Sequence, residues 1–183
     1  KMNRAKEVAG KEPIFHILPY EQKKVGIVTT GSEVYHGRIQ DTFTPVIIDK
    51  VTEYGAEIEG HEICDDNPEM IEDAIRDLLR RGCNMILCTG GMSVDPDDRT
   101  PGAIKDTGAD IVTYGAPVLP GAMLLLAYYH KDGKTIPVIG LPGCVMYARR
   151  TVFDLILPRI MADDPVCAEE ICAYGEGGLC LNC

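Results

Sequence analysis

Short apolar runs alternate with amphipathic stretches along most of this 183-residue chain. Residues 25–29 and 85–89 are apolar runs without charged side chains, which is typical of strands covered on both faces of a parallel sheet. Between them, residues 71–79 carry one apolar stripe at helical spacing. Asn67 suits the N-cap of that helix and Pro68 its first turn, so the pattern predicts a strand, a capped helix and a second strand.

The same pattern predicts further elements on both sides of this unit. Predicted strands cover residues 56–63 and 111–114, and predicted helices cover residues 47–54, 101–107 and 145–160. Residues 123–129 and 135–141 flank Asp132-Gly133, a turn signal that predicts a β-hairpin. The alternation of strands and helices predicts an α/β three-layer sandwich, with a mostly parallel sheet and an antiparallel hairpin portion.

Three segments follow from this organisation. Residues 1–22 are polar apart from an apolar patch, and we expect an N-terminal connector or arm. Residues 23–162 form the predicted domain. Residues 163–183 form a tail rich in cysteine and glycine, which we expect to be a truncated module of a longer protein.

Charge and hydropathy exclude several classes of partner. The chain carries 28 acidic and 18 basic residues, a formal net charge of −10, and no Trp. A chain with this charge and no basic stripe repels a phosphate backbone, so we expect no nucleic-acid partner. No apolar run reaches the roughly 18 residues that span a bilayer, and no secretory signal is visible. We therefore expect a cytoplasmic protein with no membrane partner.

Glycine-bearing turns follow three of the predicted strands, where the carboxyl ends of parallel strands meet and ligands bind. Glycine lets backbone N–H groups approach an oxyanion closely. For each turn alone, a change of chain direction is the preferred explanation, but the three turns together predict one anion pocket. The candidate ligand-binding residues in these turns are Thr30, Gly31, Ser32, Glu33, Thr89, Gly90, Gly91, Ser93, Pro142 and Gly143.

Acidic residues cluster beside two of these turns. Asp95, Asp97 and Asp98 lie within four residues, and their mutual repulsion is relieved by solvent or by a cation such as Mg²⁺. Asp98 alternatively caps the helix that begins near residue 101. Asp65 and Asp66 follow the predicted strand over residues 56–63. They have the same two interpretations, a cation site or a cap for the helix that contains residues 71–79.

Asp41 and the four histidines are the remaining candidate residues. Asp41 either caps the helix that follows it or accepts hydrogen bonds from the ring N–H groups of a ligand. The four histidines, at positions 16, 36, 61 and 130, are scattered and form no metal-binding spacing, so we expect ordinary surface or hydrogen-bonded positions for all of them.

The eight cysteines divide into two groups. Cys64, Cys83, Cys88 and Cys144 lie in apolar stretches and are interpreted as buried small side chains. The tail holds the other four, Cys167, Cys172, Cys180 and Cys183. Their spacing suits zinc or an iron–sulfur cluster in a longer protein, and a reduced, metal-free tail is the alternative.

Three motifs in this order resemble the molybdopterin-binding domain of molybdenum cofactor biosynthesis proteins. They are Thr30-Gly31-Ser32-Glu33, Thr89-Gly90-Gly91-Met92-Ser93-Val94 and Gly140-Leu141-Pro142-Gly143, and the resemblance covers residues 23–160. It implies a three-layer α/β fold that binds molybdopterin, a pterin dithiolene with a terminal phosphate, in a homo-oligomer (a dimer or trimer). One branch of the family activates that phosphate as an AMP ester with MgATP. Another branch inserts molybdate and releases AMP.

The resemblance also implies roles for individual residues. Gly90, Gly91 and Ser93 correspond to positions around the ligand phosphate. Asp98 corresponds to an aspartate needed for Mg²⁺ and turnover, with Asp97 and Asp95 as further candidate metal ligands. Asp65 or Asp66 matches a second functional acid, and Asp41 matches a ligand-binding aspartate. Pro142 and Gly143 shape the far wall of the site.

The motifs do not agree on one branch of the family. Ser93-Val94 is similar to the molybdenumtransferases, whereas Asp98-Arg99-Thr100-Pro101 is similar to the adenylyltransferases. Cys144-Val145 stands where the molybdenumtransferase pattern has Asn-Pro. We expect a transferase that handles molybdopterin or adenylylated molybdopterin with Mg²⁺, and with molybdate in one branch. The alternatives are a non-catalytic binding, delivery or sensor module, and a nucleotide pyrophosphatase of the competence/damage-inducible type.

Overall fold

The computed structural model describes residues 2–10, 13 and 15–176. One mixed sheet contains six strands, Lys24–Thr30 (β1), Glu57–Cys64 (β2), Met85–Thr89 (β3), Asp110–Tyr114 (β4), Leu125–Lys131 (β5) and Lys134–Leu141 (β6). The helices are Met2–Ala9 (α1), Ser32–Tyr35 (α2), Phe43–Thr52 (α3), Pro68–Arg80 (α4), Thr100–Asp106 (α5), Val152–Met161 (α6) and Ala168–Ala173 (α7). A single 3₁₀ turn covers Gly143–Met146.

The sheet has the strand order β2-β1-β3-β6-β5-β4. The first four strands in this order are parallel, and the β5–β6 hairpin and β4 add two antiparallel pairings. Thr29 is paired with Thr89, and Thr89 with Leu141, so the carboxyl ends of β1, β3 and β6 lie at one edge of the sheet. The predicted mixed sheet is confirmed.

Helices cover both faces of the sheet and produce two separate apolar clusters. Ile27 of β1 belongs to the cluster that contains the buried side chains of α3 and α6. The next residue, Val28, belongs to the cluster of α4 and α5. Alternate side chains of a strand point to opposite faces, so the central strands require apolar residues at every position. The predicted three-layer sandwich is confirmed.

Helix α4 forms as its sequence predicts. The Asn67 side chain accepts hydrogen bonds from the backbone N–H groups of Glu69 (2.9 Å) and Met70 (3.1 Å), which otherwise lack partners at a helix start. The apolar stripe is buried at Ile71, Ile75, Leu78 and Leu79. Local capping and burial of one face therefore explain this helix.

The predicted continuous helix over residues 145–160 is wrong. The chain forms the short 3₁₀ turn and then leaves helical geometry before α6 begins at Val152. A capping box between Thr151 and Asp154 explains that start. The Asp154 carboxylate accepts from the Thr151 N–H at 2.7 Å, and the Thr151 side chain accepts from the Asp154 N–H.

The division of the chain into arm, domain and tail stays a prediction. In the arm, Phe15 and Ile17 are 86% and 93% exposed. In the tail, Val166 and Ile171 are buried in the same cluster as α6. Among the described residues, no helix is long and apolar enough to cross a membrane.

Candidate functional site

The candidate site lies at the edge of the sheet where β1, β2 and β3 end. In the strand order, β2 lies on one side of β1 and β3 on the other, so the chain changes direction between β1 and β3. Ligands in open α/β sheets bind at such a switch point. A cleft of about 450 Å³ opens there. Its lining residues are Thr30, Gly31, Ser32, Glu33, Val34, Ile39, Asp66, Gly91, Asp95, Asp97 and Asp98.

Two glycines allow the turns after β1 and β3 to touch. Gly90 has a φ of +81°, and a Cβ added to it would lie 2.0 Å from the carbonyl oxygen of Thr30. Gly91 has a φ of +54°, and its added Cβ would lie 2.9 Å from Thr100 Oγ1. Thr100 Oγ1 lies 2.9 Å from the Gly90 carbonyl oxygen, to which it donates, and 3.1 Å from Thr30 Oγ1. The sequence Thr89-Gly90-Gly91 therefore brings the two turns into direct contact.

Asp98 folds back on its own loop instead of capping a helix. Its Oδ2 accepts from the backbone N–H of Ser93 at 2.5 Å and from Ser93 Oγ at 2.8 Å. Helix α5 begins at Thr100, and no side chain caps it. The capping interpretation of Asp98 is thus wrong. Among the described residues, Asp98 Oδ1 accepts no hydrogen bond, and Asp98 lines the cleft.

Tyr114 holds the same loop from the far side. Its hydroxyl donates to the Ser93 carbonyl oxygen at 2.8 Å. Burial, and secondarily the negative charge of Asp98, raise the pKa of Tyr114. The hydroxyl therefore remains a donor through neutral and mildly alkaline pH. The sequence did not suggest this residue, because its partner lies 21 positions away.

Asp66 ties the turn after β1 in a similar manner. Its Oδ2 accepts from the backbone N–H of Ser32 at 3.0 Å. Asp65 Oδ1 accepts from the backbone N–H of Asp66 at 2.9 Å, and its Oδ2 lies 3.6 Å from His36 Nε2. Neither aspartate caps α4, because Asn67 does so, and only Asp66 lines the cleft.

The electrostatic character of the cleft is strongly acidic. Five of its lining side chains are carboxylic acids, and none is Lys, Arg or His. Arg99 approaches only at the rim, 3.7 Å from Asp97, whose side chain is 92% exposed. An anionic ligand could enter this cleft only together with a cation that offsets the carboxylates. Within the described ranges, no three His, Cys, Asp or Glu side chains converge on a ready-made metal site.

The remaining candidates at this edge lie outside the cleft. Pro142 and Gly143 follow β6 and do not line it. Thr89 is fully buried, and its Oγ1 is without a hydrogen-bond partner among the described residues. An unpaired buried hydroxyl costs about 1–3 kcal/mol, so Thr89 Oγ1 is a position where a ligand atom or a water would stabilise the site.

Asp41 is the cap of α3, which confirms one of its two interpretations. Its Oδ1 accepts from the backbone N–H groups of Phe43 (2.8 Å) and Thr44 (3.1 Å), and its Oδ2 accepts from Thr44 Oγ1 (2.5 Å). Burial raises the pKa of Asp41, but the hydrogen bonds from Thr44 and Phe43 and the proximity of His61 outweigh it and lower the pKa below its usual value. Its role in ligand binding stays a prediction.

None of the described cysteines lines the cleft. Cys64, Cys83 and Cys88 are buried, as predicted, and burial raises the pKa of Cys64 and of Cys83 to about 11. These thiols are therefore unreactive at neutral pH. Cys167 and Cys172 are exposed and free, and Cys180 and Cys183 lie outside the described residues. The predicted zinc or iron–sulfur module is thus untested.

A second cavity lies at the opposite edge of the sheet, where β1, β3 and β6 begin. It has a volume of about 380 Å³, and its lining includes Lys23, Tyr128, Lys134 and Asp163. Lys23 is 2% exposed and forms an ion pair with Asp163, whose side chain is 56% exposed. Lys134 also lines this cavity and forms no ion pair among the described residues, but the cavity lies where the parallel strands begin. Ligands of α/β sheets bind at the carboxyl ends of the strands, so this cavity is the weaker candidate.

Comparisons with known proteins agree with this geometry. Residues 26–162 match the family model described as "Probable molybdopterin binding domain". The chain is 42% identical over 77 residues to a CinA-like protein of Mycobacterium avium, and 40% identical over 77 residues to one of Mycobacterium tuberculosis. Each match covers 42% of this chain and 18% of the relative, so the chain spans about a fifth of the length of these curated relatives.

Solved structures share the fold at low sequence identity. The tungsten cofactor synthesizing protein MoaB from Pyrococcus furiosus aligns with a TM-score of 0.64 and 18% identity, over 76% of this chain and 93% of the other. CinA from Thermoplasma acidophilum, a protein of unknown function, aligns with a TM-score of 0.59 and 19% identity, over 76% and 98%.

Proposed function

The chain belongs to the molybdopterin-binding domain family, and from this premise we propose that its acidic cleft binds molybdopterin or adenylylated molybdopterin together with Mg²⁺. The observation that carries the proposal is the direct contact between the turns after β1 and β3, beside a cleft that is lined by five carboxylate side chains. Gly31 and Gly91 line the cleft beside this contact, and the absence of side chains there lets an anion approach the backbone closely.

Backbone N–H groups in the second turn are the proposed phosphate ligands. Within the described part of the chain, the N–H groups of Gly91 and Met92 donate no turn or side-chain hydrogen bond. Successive backbone N–H groups in a turn with positive φ form a concave anion site. Ser93 follows directly, and Asp98 fixes its N–H and hydroxyl, so Ser93 sets the end of this proposed cradle.

Asp98 and Asp66 are the proposed Mg²⁺ ligands. Each uses its Oδ2 to hold a turn and, among the described residues, leaves its Oδ1 without a hydrogen bond. Mg²⁺ usually binds one or two carboxylates together with substrate phosphates and water, and these two Oδ1 atoms would supply the carboxylate ligands. Asp95 and Asp97 also line the cleft and are proposed as outer ligands.

The chemistry proposed for the cleft is transfer at the phosphate of the pterin. A bound Mg²⁺ would supply charge neutralisation at the phosphate oxygens. The chain itself positions the phosphate through Gly91 and Met92, holds the cation through Asp98, and orients Ser93. Positioning and charge neutralisation are most of what such transfers require. Adenylyl transfer and molybdate insertion with release of AMP are the two reactions that fit, and we favour the enzyme over a passive binding module.

Release of AMP tests this proposal. Adenylylated molybdopterin is incubated with molybdate and Mg²⁺, and AMP is quantified by chromatography. Asp98→Asn should reduce the rate by about two orders of magnitude, which is typical when one charge-stabilising group is lost. Asp110→Asn, which changes an exposed aspartate on β4, is the matched control and should leave the rate unchanged. Tight binding without AMP release would instead indicate a delivery or sensor module, and an equal rate in Asp98→Asn would remove Asp98 from the mechanism.

A second candidate function is hydrolysis of a nucleotide pyrophosphate. The 77-residue match to CinA-like proteins favours it, because we assign these relatives to the competence/damage-inducible group of the family. Incubation with ADP-ribose and Mg²⁺, without molybdate, distinguishes the two candidate functions. A pyrophosphatase releases AMP from ADP-ribose under these conditions, whereas a molybdenumtransferase does not. For either activity we propose a homodimer or homotrimer, which light scattering in solution tests.

A further inference from the structure

A buried polar cluster lies beside the cleft, on the face of the sheet that α3 covers. Thr29 Oγ1 lies 2.9 Å from Thr44 Oγ1 and 2.9 Å from His61 Nε2, and it lies 3.3 Å from Asp41 Oδ2. His61 Nε2 lies 3.2 Å from Thr44 Oγ1 and 3.5 Å from Asp41 Oδ2. Thr29 and Thr44 are 3% and 5% exposed, so their hydroxyl hydrogens must be shared within the cluster, whereas the His61 side chain is 28% exposed and closes the cluster on the solvent side.

The position of each hydrogen follows from the Asp41 carboxylate. An ionised carboxylate only accepts hydrogen bonds, and the 2.5 Å distance from Thr44 Oγ1 to Asp41 Oδ2 is that of a charge-assisted bond. The Thr44 hydroxyl hydrogen is therefore committed to Asp41. Thr44 Oγ1 then needs a donor, and Thr29 Oγ1 at 2.9 Å is the nearer one. His61 Nε2 is left to donate to Thr29 Oγ1.

The opposite arrangement leaves two groups unsatisfied. If His61 Nε2 carried no hydrogen, the Thr29 hydroxyl would donate to it, and Thr44 Oγ1 would lose its donor. The lone pair of Nε2 would also face the Asp41 carboxylate across 3.5 Å. Unpaired buried acceptors and facing lone pairs both destabilise a cluster. The distances therefore favour one direction, from His61 through Thr29 and Thr44 to Asp41.

We infer that His61 is a positioning residue, which donates from Nε2–H into a relay of Thr29 and Thr44 and so fixes the Asp41 carboxylate. Asp41 caps α3 and ends the segment that joins α2 to α3, and Ile39 of that segment lines the cleft. His61 thus holds one wall of the ligand site without touching the ligand. The effect on ligand affinity rests on the proposed function, whereas the relay itself does not.

Nitrogen NMR of the full chain without ligand tests the relay. The ¹⁵N shifts of the His61 ring should report hydrogen on Nε2, and neutral imidazole with hydrogen only on Nδ1 would overturn the inference. The backbone amide signals of Phe43 and Thr44 report the state of the cap. They should shift in Thr29→Val, which removes the central hydroxyl, and remain in place in Thr29→Ser, which retains it.

Substitution of His61 then distinguishes donation from simple packing. The Gln side chain carries an N–H₂ donor near the position of Nε2, whereas Leu fills the space without one. His61→Gln should retain the Phe43 and Thr44 signals and the affinity for molybdopterin, and His61→Leu should shift the signals and weaken binding about tenfold. His130→Leu, at an exposed position on β5, is the matched control.

The outcomes separate this inference from the proposed function. Equal behaviour of His61→Gln and His61→Leu would overturn the relay even if molybdopterin binds. The amide signals could respond as expected while neither the wild type nor any variant binds molybdopterin. In that case the relay stands and the proposed ligand is wrong.

Discussion

Substitution of Gly90 by Ala tests whether the turns after β1 and β3 touch. Gly90 has a φ of +81°, and an alanine in left-handed geometry costs about 1–2 kcal/mol. In addition, its Cβ would lie 2.0 Å from the Thr30 carbonyl oxygen, so the turns must separate by about 1 Å to restore even a tight contact. That movement breaks the buried hydrogen bonds of Thr100 Oγ1 to Gly90 and Thr30, each worth about 1 kcal/mol.

Gly108→Ala is the matched control for this substitution. Gly108 also has a positive φ, of +87°, but an added Cβ would meet nothing within 4 Å. We therefore expect Gly108→Ala to lower the free energy of unfolding by about 1–2 kcal/mol and Gly90→Ala by about 3–4 kcal/mol. Urea unfolding followed by circular dichroism measures both. Equal losses in the two variants would refute the contact, because they would leave only the shared backbone cost.

Three further predictions concern buried polar groups. Thr89→Val removes a hydroxyl that has no partner among the described residues, so it should leave the unfolding free energy unchanged or raise it by up to about 1 kcal/mol. A clear loss of stability in urea unfolding would show that the hydroxyl is paired. Asp163→Asn leaves the buried Lys23 ammonium without its carboxylate and should lower the free energy of unfolding in urea by about 2 kcal/mol. Lys23→Met removes the buried charge and should lower it by less. The reverse order would contradict this account. The pKa of Asp41 in the folded state lies below its unfolded value of about 3.9. The ionised carboxylate therefore stabilises the fold fully above pH 3.9, and this stabilisation is lost as the pH falls through the folded pKa. Asn caps a helix as well as Asp, so the gap of about 1 kcal/mol expected between wild type and Asp41→Asn at pH 7 comes from the charge-assisted bond of Thr44 Oγ1 to Asp41. The gap should therefore close in acid, and a gap that persists at the lowest pH would exclude the charge as its cause.

Local signals in the sequence were sufficient to predict those elements whose cap and buried face lie within one short segment. Asn67 and the stripe from Ile71 to Leu79 specify α4 within about a dozen residues, and the structure matches them. The start of α6 was also encoded locally, by the Thr151-x-x-Asp154 capping box, but apolar residues at helical spacing before it concealed the break.

The site itself depends on contacts that no local pattern contains. Asp98 has the position of a helix cap in the sequence, yet it bonds to Ser93 because the loop closes on itself. His61 carries no motif, and it meets Asp41 only because β2 pairs with β1, which places it opposite Ile27 on the α3 face. Strand pairing order is a property of the whole sheet, so these partners could not be predicted from spacing.

The most direct test of the proposed site is an amide NMR titration of the chain with molybdopterin, in the presence of Mg²⁺ and again with EDTA. We expect the largest shifts at Gly31, Gly91 and Met92, with affinity falling at least about tenfold when Mg²⁺ is removed, because the acidic cleft would then repel the phosphate. Shifts concentrated around Lys134 and Asp163 at the opposite edge of the sheet, or binding that is indifferent to EDTA, would contradict the account.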